Sequence, residues 1–243
     1  MKPAKKLLLC LSLFVPALLQ GQGGSWPVPS EARTQEGNSG LTSPFAGGSR
    51  YQQVNAASDF GSPIGPNGIF LQGMYLRLDS LNGFSFSGYA TNLQVNLSTT
   101  LSQPDSLSPV FSENIGVNDQ IVVGPTTLGM AADHLGGASP EPWSTGVYIR
   151  FSQPFYYKPT DGNLLLDIRT FDGSTARSWF DAWNRPGDAV SSVFGSAGDA
   201  SGITSTLGLS ILFEGTLVPE PSAYFLFVVS ATALLLVRKK RKS

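Results

Sequence analysis

The side chains able to do chemistry are few and scattered. Between the two basic ends there is a single histidine, His134, in the stretch Ala131-Ala132-Asp133-His134-Leu135-Gly136-Gly137. Serines abound, so a Ser-His-Asp arrangement is conceivable, but no strand-to-helix nucleophile elbow accompanies them. One imidazole cannot make a zinc site unless several carboxylates converge on it. Paired carboxylates could hydrolyse glycosides, and Asp161, Asp167, Asp172 and Asp181 are the acids on offer. Of these, Asp161 and Asp172 stand beside glycine in turns, and Asp167 falls on the expected wet face of a strand. No catalytic residue is therefore assigned, and no cofactor is implied.

Two kinds of binding chemistry remain. Turn oxygens from Asp161, Asn163 and Asp172 could ligate calcium, although EF-hand spacing is absent and a turn-capping role competes. Trp143, Trp179 and Trp183, with Tyr156 and Tyr157, could offer flat faces to sugar rings. Phe151, Phe155 and Phe171 are expected to close the ends of a core instead.

The elements that must position these groups are strands. Leu93, Val95 and Leu97 alternate with Asn92, Gln94 and Asn96, the period of a strand with one buried face. Met74 to Leu78, Val147 to Phe151, Leu164 to Ile168 and Leu207 to Phe213 repeat the pattern, separated by turns such as Asp161-Gly162-Asn163. One helical turn is expected from Ala176 to Trp183, where two tryptophans stand four apart. Many short strands with glycine-rich turns predict an all-β ectodomain, a β-sandwich of jelly-roll type, over residues 48–217. Residues 22–47, rich in Gly, Ser and Pro, read as a flexible lead.

Charge separates the middle from the ends. Of 16 Lys and Arg, eight lie in the terminal segments, while all 17 Asp and Glu lie between Glu31 and Glu220, leaving the middle at −9. That balance argues against nucleic acid and anionic lipid as partners. The one cysteine, Cys10, lies in the N-terminal apolar run, so the rest of the chain has no disulfide and no thiolate chemistry.

Both ends carry apolar runs. Lys2, Lys5 and Lys6 precede Leu7 to Leu19 and then small residues, the layout of a signal peptide over 1–21. At the other end, residues 223–237 form a 15-residue apolar run, about 22 Å as a helix. Arg238, Lys239, Lys240, Arg241 and Lys242 follow it, and snorkelling of such side chains extends a short span, so a transmembrane helix over 223–237 with a basic tail over 238–242 is expected. The positive-inside bias would put the middle outside the cytoplasm.

The arrangement of signal peptide, β-rich region, Val218-Pro219-Glu220-Pro221-Ser222, apolar run and basic cluster resembles the PEP-CTERM proteins of Gram-negative bacteria. Arg50-Tyr51-Gln52-Gln53-Val54, Asn96-Leu97-Ser98-Thr99-Thr100 and Gly162 to Arg169 look like such proteins from bacteria such as the Verrucomicrobia. The resemblance implies a sorting signal over 218–243, with Pro219, Glu220 and Pro221 as the motif. It also implies processing by an exosortase, a membrane-embedded cysteine transpeptidase, after transient residence in the inner membrane, and delivery to the cell surface or an exopolysaccharide matrix. The expected function is that of a non-catalytic surface protein. A carbohydrate-binding module and a glycoside-active enzyme are the alternatives.

Overall fold

The structure, a computed structural model, describes residues 22–61, 64 and 67–219. The expected signal peptide, Glu220, Pro221, the 223–237 run and the basic tail lie outside the described residues. Among the described residues no helix is long and apolar enough to cross a membrane.

The fold is all-β. In chain order the strands are β1 (Gly23–Val28), β2 (Ser39–Thr42), β3 (Ser49–Asn55), β4 (Ile69–Leu76), β5 (Phe86–Thr100), β6 (Gln120–Ala132) and β7 (Val147–Tyr157). They continue with β8 (Asn163–Thr170), β9 (Trp179–Asn184), β10 (Val190–Ser196), β11 (Ile203–Ser205), β12 (Leu207–Leu209) and β13 (Ile211–Leu217). They pair into a four-stranded sheet β1-β13-β4-β7, a six-stranded sheet β11-β10-β3-β8-β5-β6 and a three-stranded sheet β12-β9-β2.

One core joins the sheets. Ile69, Leu71, Met74, Leu76, Val147, Ile149, Ile211 and Phe213 of the four-stranded sheet share a buried cluster with Leu93, Val95, Leu97, Leu164, Leu166 and Ile168 of the six-stranded sheet. All but Ile69 and Leu71 are residues whose period-two spacing marks strands in the sequence, and burial of each apolar side chain contributes roughly 1.5–3 kcal/mol. Ser152 Oγ donates to the Val122 carbonyl at 2.9 Å and Gln120 Nε2 to that of Pro154 at 3.2 Å, tying edge strand β7 to edge strand β6. Pro27, Pro125 and Pro154 stand on the edge strands β1, β6 and β7, where a missing N–H discourages further pairing.

Three expectations need correction. The 22–47 lead is built into the fold: β1 pairs with β13, β2 pairs with β9, and Trp26, Val28, Ala32 and Phe45 are buried. Its backbone supplies the ladder bonds whatever its composition, and these few apolar residues suffice to fix it. The turn from Ala176 to Trp183 is not helical, since β9 begins at Trp179; a spacing of four puts two side chains on one face of either a helix or a strand. The single alternation from Leu207 to Phe213 spans two strands in different sheets. Ser210 marks the break, its N–H donating to the Asp181 carbonyl at 2.9 Å and its hydroxyl accepting from Trp183 Nε1 at 3.1 Å.

Candidate functional site

The expected calcium ligands do not converge. Asp161 and Asn163 stand at the start of β8 and Asp172 lies beyond its end, about 30 Å away at ~3.3 Å per residue. Asn163 is occupied, its Oδ1 accepting from the Ala57 N–H at 2.9 Å and its Nδ2 donating to the Ser102 carbonyl at 2.8 Å. The tryptophans form no shared platform either. Trp183 is 5% exposed, Trp179 is 39% exposed, and half-buried Trp143 is covered by the Arg77 guanidinium 4.6 Å from its ring centre. Tyr157 is buried, whereas Phe171, expected to close the core, is exposed.

His134 sits in a loop staple. Its Nε2 lies 3.2 Å from the Ser80 carbonyl and 3.5 Å from Glu141, whose carboxylate also accepts from the N–H groups of Leu135 and Gly136. Among the described residues no serine hydroxyl is hydrogen-bonded to this imidazole, so the triad geometry is not assembled.

Asp167 is not on a wet face. Both sides of β8 are covered: Leu164, Leu166 and Ile168 face the main core, while Leu165 packs beneath Val54, Leu107, Phe111 and Val193 in a second cluster. Buried there, Asp167 receives Arg50 Nε at 3.0 Å and Nη2 at 2.5 Å, Gln52 at 2.9 Å and Arg169 at 3.2 Å. Burial alone would raise its pKa, but the two guanidiniums and Gln52 hold it below the usual carboxylate value.

Asp181 belongs to a second buried group. Arg77 Nε donates to Asp181 Oδ2 at 2.8 Å, and the same guanidinium donates to the carbonyls of Ala32 and Gln35. Glu36 and Asp79 bring carboxylate oxygens within 4.8 Å of those of Asp181. Three carboxylates this close could hold a hard cation, yet most of their oxygens are already engaged. Asp79 Oδ1 accepts from Leu81, Asn82 N–H and Asn82 Nδ2, Asp181 Oδ1 from Gly37, and Glu36 Oε1 from Ser80. Glu36 Oε2 is left buried without a partner. Burial, and then the charge of Asp181, raises the pKa of Glu36; burial raises Asp181 in spite of Arg77.

A cleft of about 500 Å³ opens where β5 outruns β6, lined by Thr99, Leu101, Glu113, Val117, Asn118 and Asp161. Asn118 caps the strand edge, its Oδ1 accepting from the Thr99 N–H at 2.7 Å and its Nδ2 donating to Thr99 Oγ1 at 3.0 Å. Glu113 and Asp161 are both exposed.

The sequence did not single out the outer face of the four-stranded sheet. There Tyr75 pairs with Tyr148 and Phe70 with Tyr156 across β4 and β7, with ring centres 4.5 Å and 5.4 Å apart. Tyr148, Phe70 and Tyr156 keep 42%, 43% and 43% exposure. Between the two pairs runs a polar row, Arg150, Gly73 and Glu214, in direct register on β7, β4 and β13. Gly73 has a reason: a Cβ there would lie 2.6 Å from the Tyr148 hydroxyl, so only glycine lets that ring lie low over β4. Gln72 is an extra residue in β4, and β7 answers with four, opening a hollow of about 300 Å³ lined by Gln72, Tyr148, Arg150, Phe151, Ser152 and Pro154. Tyr156 was marked in the sequence as an aromatic; its three companions needed the pairing of β4 with β7 to be seen.

No family model, no curated protein and no solved structure matches this chain.

Proposed function

We propose that the protein is an exported, non-catalytic component of the cell envelope or exopolysaccharide matrix, carried through the inner membrane and processed at its C-terminus by an exosortase. Its domain is read as a β-sandwich of jelly-roll kind, with the four-stranded and six-stranded sheets facing each other across the main core. The observation that carries the reading is the tail: Pro219-Glu220-Pro221, an apolar run and five basic residues in immediate succession. Two features of the fold support it. Val218 N–H is bonded to the Gly68 carbonyl at 3.0 Å and Asn67 Nδ2 to that of Pro219 at 3.3 Å, so the β-domain extends up to the motif. Asp167 and Asp181, two of the four acids considered for hydrolysis, are engaged in buried ion pairs.

Intact-mass measurement on surface material from the native host tests this. Loss of both the 1–21 segment and the 223–237 run is the expected result. A complete C-terminus on all surface material would reduce the tail to a single-pass anchor.

A further inference from the structure

The two aromatic pairs and the polar row between them have the makings of a ligand face. We infer that the outer face of the four-stranded sheet binds an uncharged polysaccharide chain, with Phe70, Tyr75, Tyr148 and Tyr156 as stacking groups and Arg150, Gln72 and Glu214 as hydroxyl partners. The inference takes its partner from the extracellular reading above; its test is made in vitro, so failure would leave export and processing untouched.

A pyranose ring is amphipathic, with C–H groups on its faces and hydroxyls around its rim. Tyrosine and phenylalanine rings can cover the faces at little entropic cost, while planar polar side chains meet the rim. The sheet supplies both in alternate rows. Each ring leans on one partner, at 32° for Tyr75 with Tyr148 and 51° for Phe70 with Tyr156, and retains exposed surface for a further group. Tyr75 and Phe70 are five positions apart on β4, roughly 16 Å at ~3.3 Å per residue. That separation needs a chain of sugars rather than one ring, and the hollow at Gln72, Arg150 and Ser152 lies between the two stacking points.

Charge selects the class of polymer. The row holds one cation and one anion, Arg150 and Glu214, each in register with Gly73, and the sequence between the basic ends carries −9. A uronate-rich polymer, a nucleic acid or an anionic bilayer would meet net repulsion over the rest of the surface. An uncharged glycan meets none. Burial, and then the carboxylate of Glu214, raises the pKa of the Tyr148 phenol.

The test uses the full chain in a polyoxyethylene detergent, run by native electrophoresis through gels containing hydroxyethyl cellulose, dextran or galactomannan, and in parallel through gels containing alginate. Retardation by at least one neutral polymer to half the free mobility or less is expected. It should vanish in the Tyr75→Ala/Tyr148→Ala double variant and in Arg150→Ala, and persist in Ile203→Ala, which alters an exposed residue on edge strand β11. Arg150→Ala removes no stacking ring, so it keeps the test valid should the double variant misfold. The inference is overturned by an absence of retardation in all three neutral gels, by retardation that survives both sets of substitutions, or by retardation in alginate alone. Sedimentation and vesicle flotation cover the other occupants: a dimer broken by Tyr148→Ala, or binding to phosphatidylglycerol vesicles lost in Tyr148→Ala, would each overturn it too.

Discussion

Arg50 and Asp167 meet as a two-point ion pair on the outer side of the six-stranded sheet, Nε to Oδ1 at 3.0 Å and Nη2 to Oδ2 at 2.5 Å, with Arg50 stacked over Phe111 at 4.3 Å. Their side chains are only 8% and 2% exposed. Removing one partner would leave the other charge buried, a loss of about 3–5 kcal/mol. We expect Asp167→Ala to fall in that range by denaturant unfolding. Replacing Arg50 and Asp167 together by apolar residues should cost less than the single change. Equal losses for the single and double variants would show that the pair is not acting as a unit.

The same pair sets a pH dependence. Because the folded pKa of Asp167 lies below its ordinary 3.8, the folded state binds this proton less tightly than the unfolded chain. The stabilisation is present above about pH 4 and is lost as pH falls through the folded value. Glu36 has the opposite sign. Its folded pKa lies above the ordinary 4.5, so its contribution is greatest below that value and is lost as pH rises through the folded one. Glu36→Gln keeps an oxygen for the Ser80 N–H and removes the charge. It should raise the melting temperature at pH 7 and leave it unchanged near pH 3. A lower melting temperature at pH 7 would mean that Glu36 is needed ionised beside Arg77.

The N-terminal strand is a third test. Trp26 is 4% exposed and Val28 is fully buried, on a strand paired along its length with β13. Trp26→Ala should destabilise by roughly 3–5 kcal/mol, as aromatic truncations in cores do. Deleting 22–28 should uncover the edge of β13 and abolish a cooperative melt. An unchanged melt after deletion would restore the flexible lead that the composition suggested.

What could be read from the sequence divides along physical lines. Leu93, Val95 and Leu97 announce a strand because one side of β5 is apolar and much of the other is half-wet. β8 hides its outer face: Leu165 and Asp167 are covered by the 101–118 segment and Arg50, contacts that local alternation cannot register. Residues 22–47 were hidden because an edge strand needs few side chains. The aromatic face was hidden because Phe70 and Tyr75 stand more than 70 positions before their partners Tyr148 and Tyr156. Conversely, the four-residue spacing of Trp179 and Trp183 was visible and misleading, since both periods accept it.

The last prediction concerns the motif that follows β13. Changing Pro219 and Pro221 together to Ala leaves the 223–237 run and the basic tail intact, so on the proposed reading of that run as a membrane span the energy of insertion should hardly change. Two effects should follow outside the bilayer. Proline disfavours the helical conformation in the residue before it; on the proposed reading of 223–237 as a membrane helix, alanine at both positions would remove that barrier to the helix growing outward. Asn67 Nδ2 donates to the Pro219 carbonyl, a group alanine retains, so the domain's hold on the chain is preserved. We therefore expect the variant to be exported and inserted but to accumulate in the inner membrane with its tail attached, as read by fractionation and intact mass. Glu220→Ala should give the same accumulation by removing the acidic group without restoring helix propensity to the prolines. Delivery of both variants to the surface at the normal rate would make Pro219-Glu220-Pro221 a linker and leave the apolar run as an anchor.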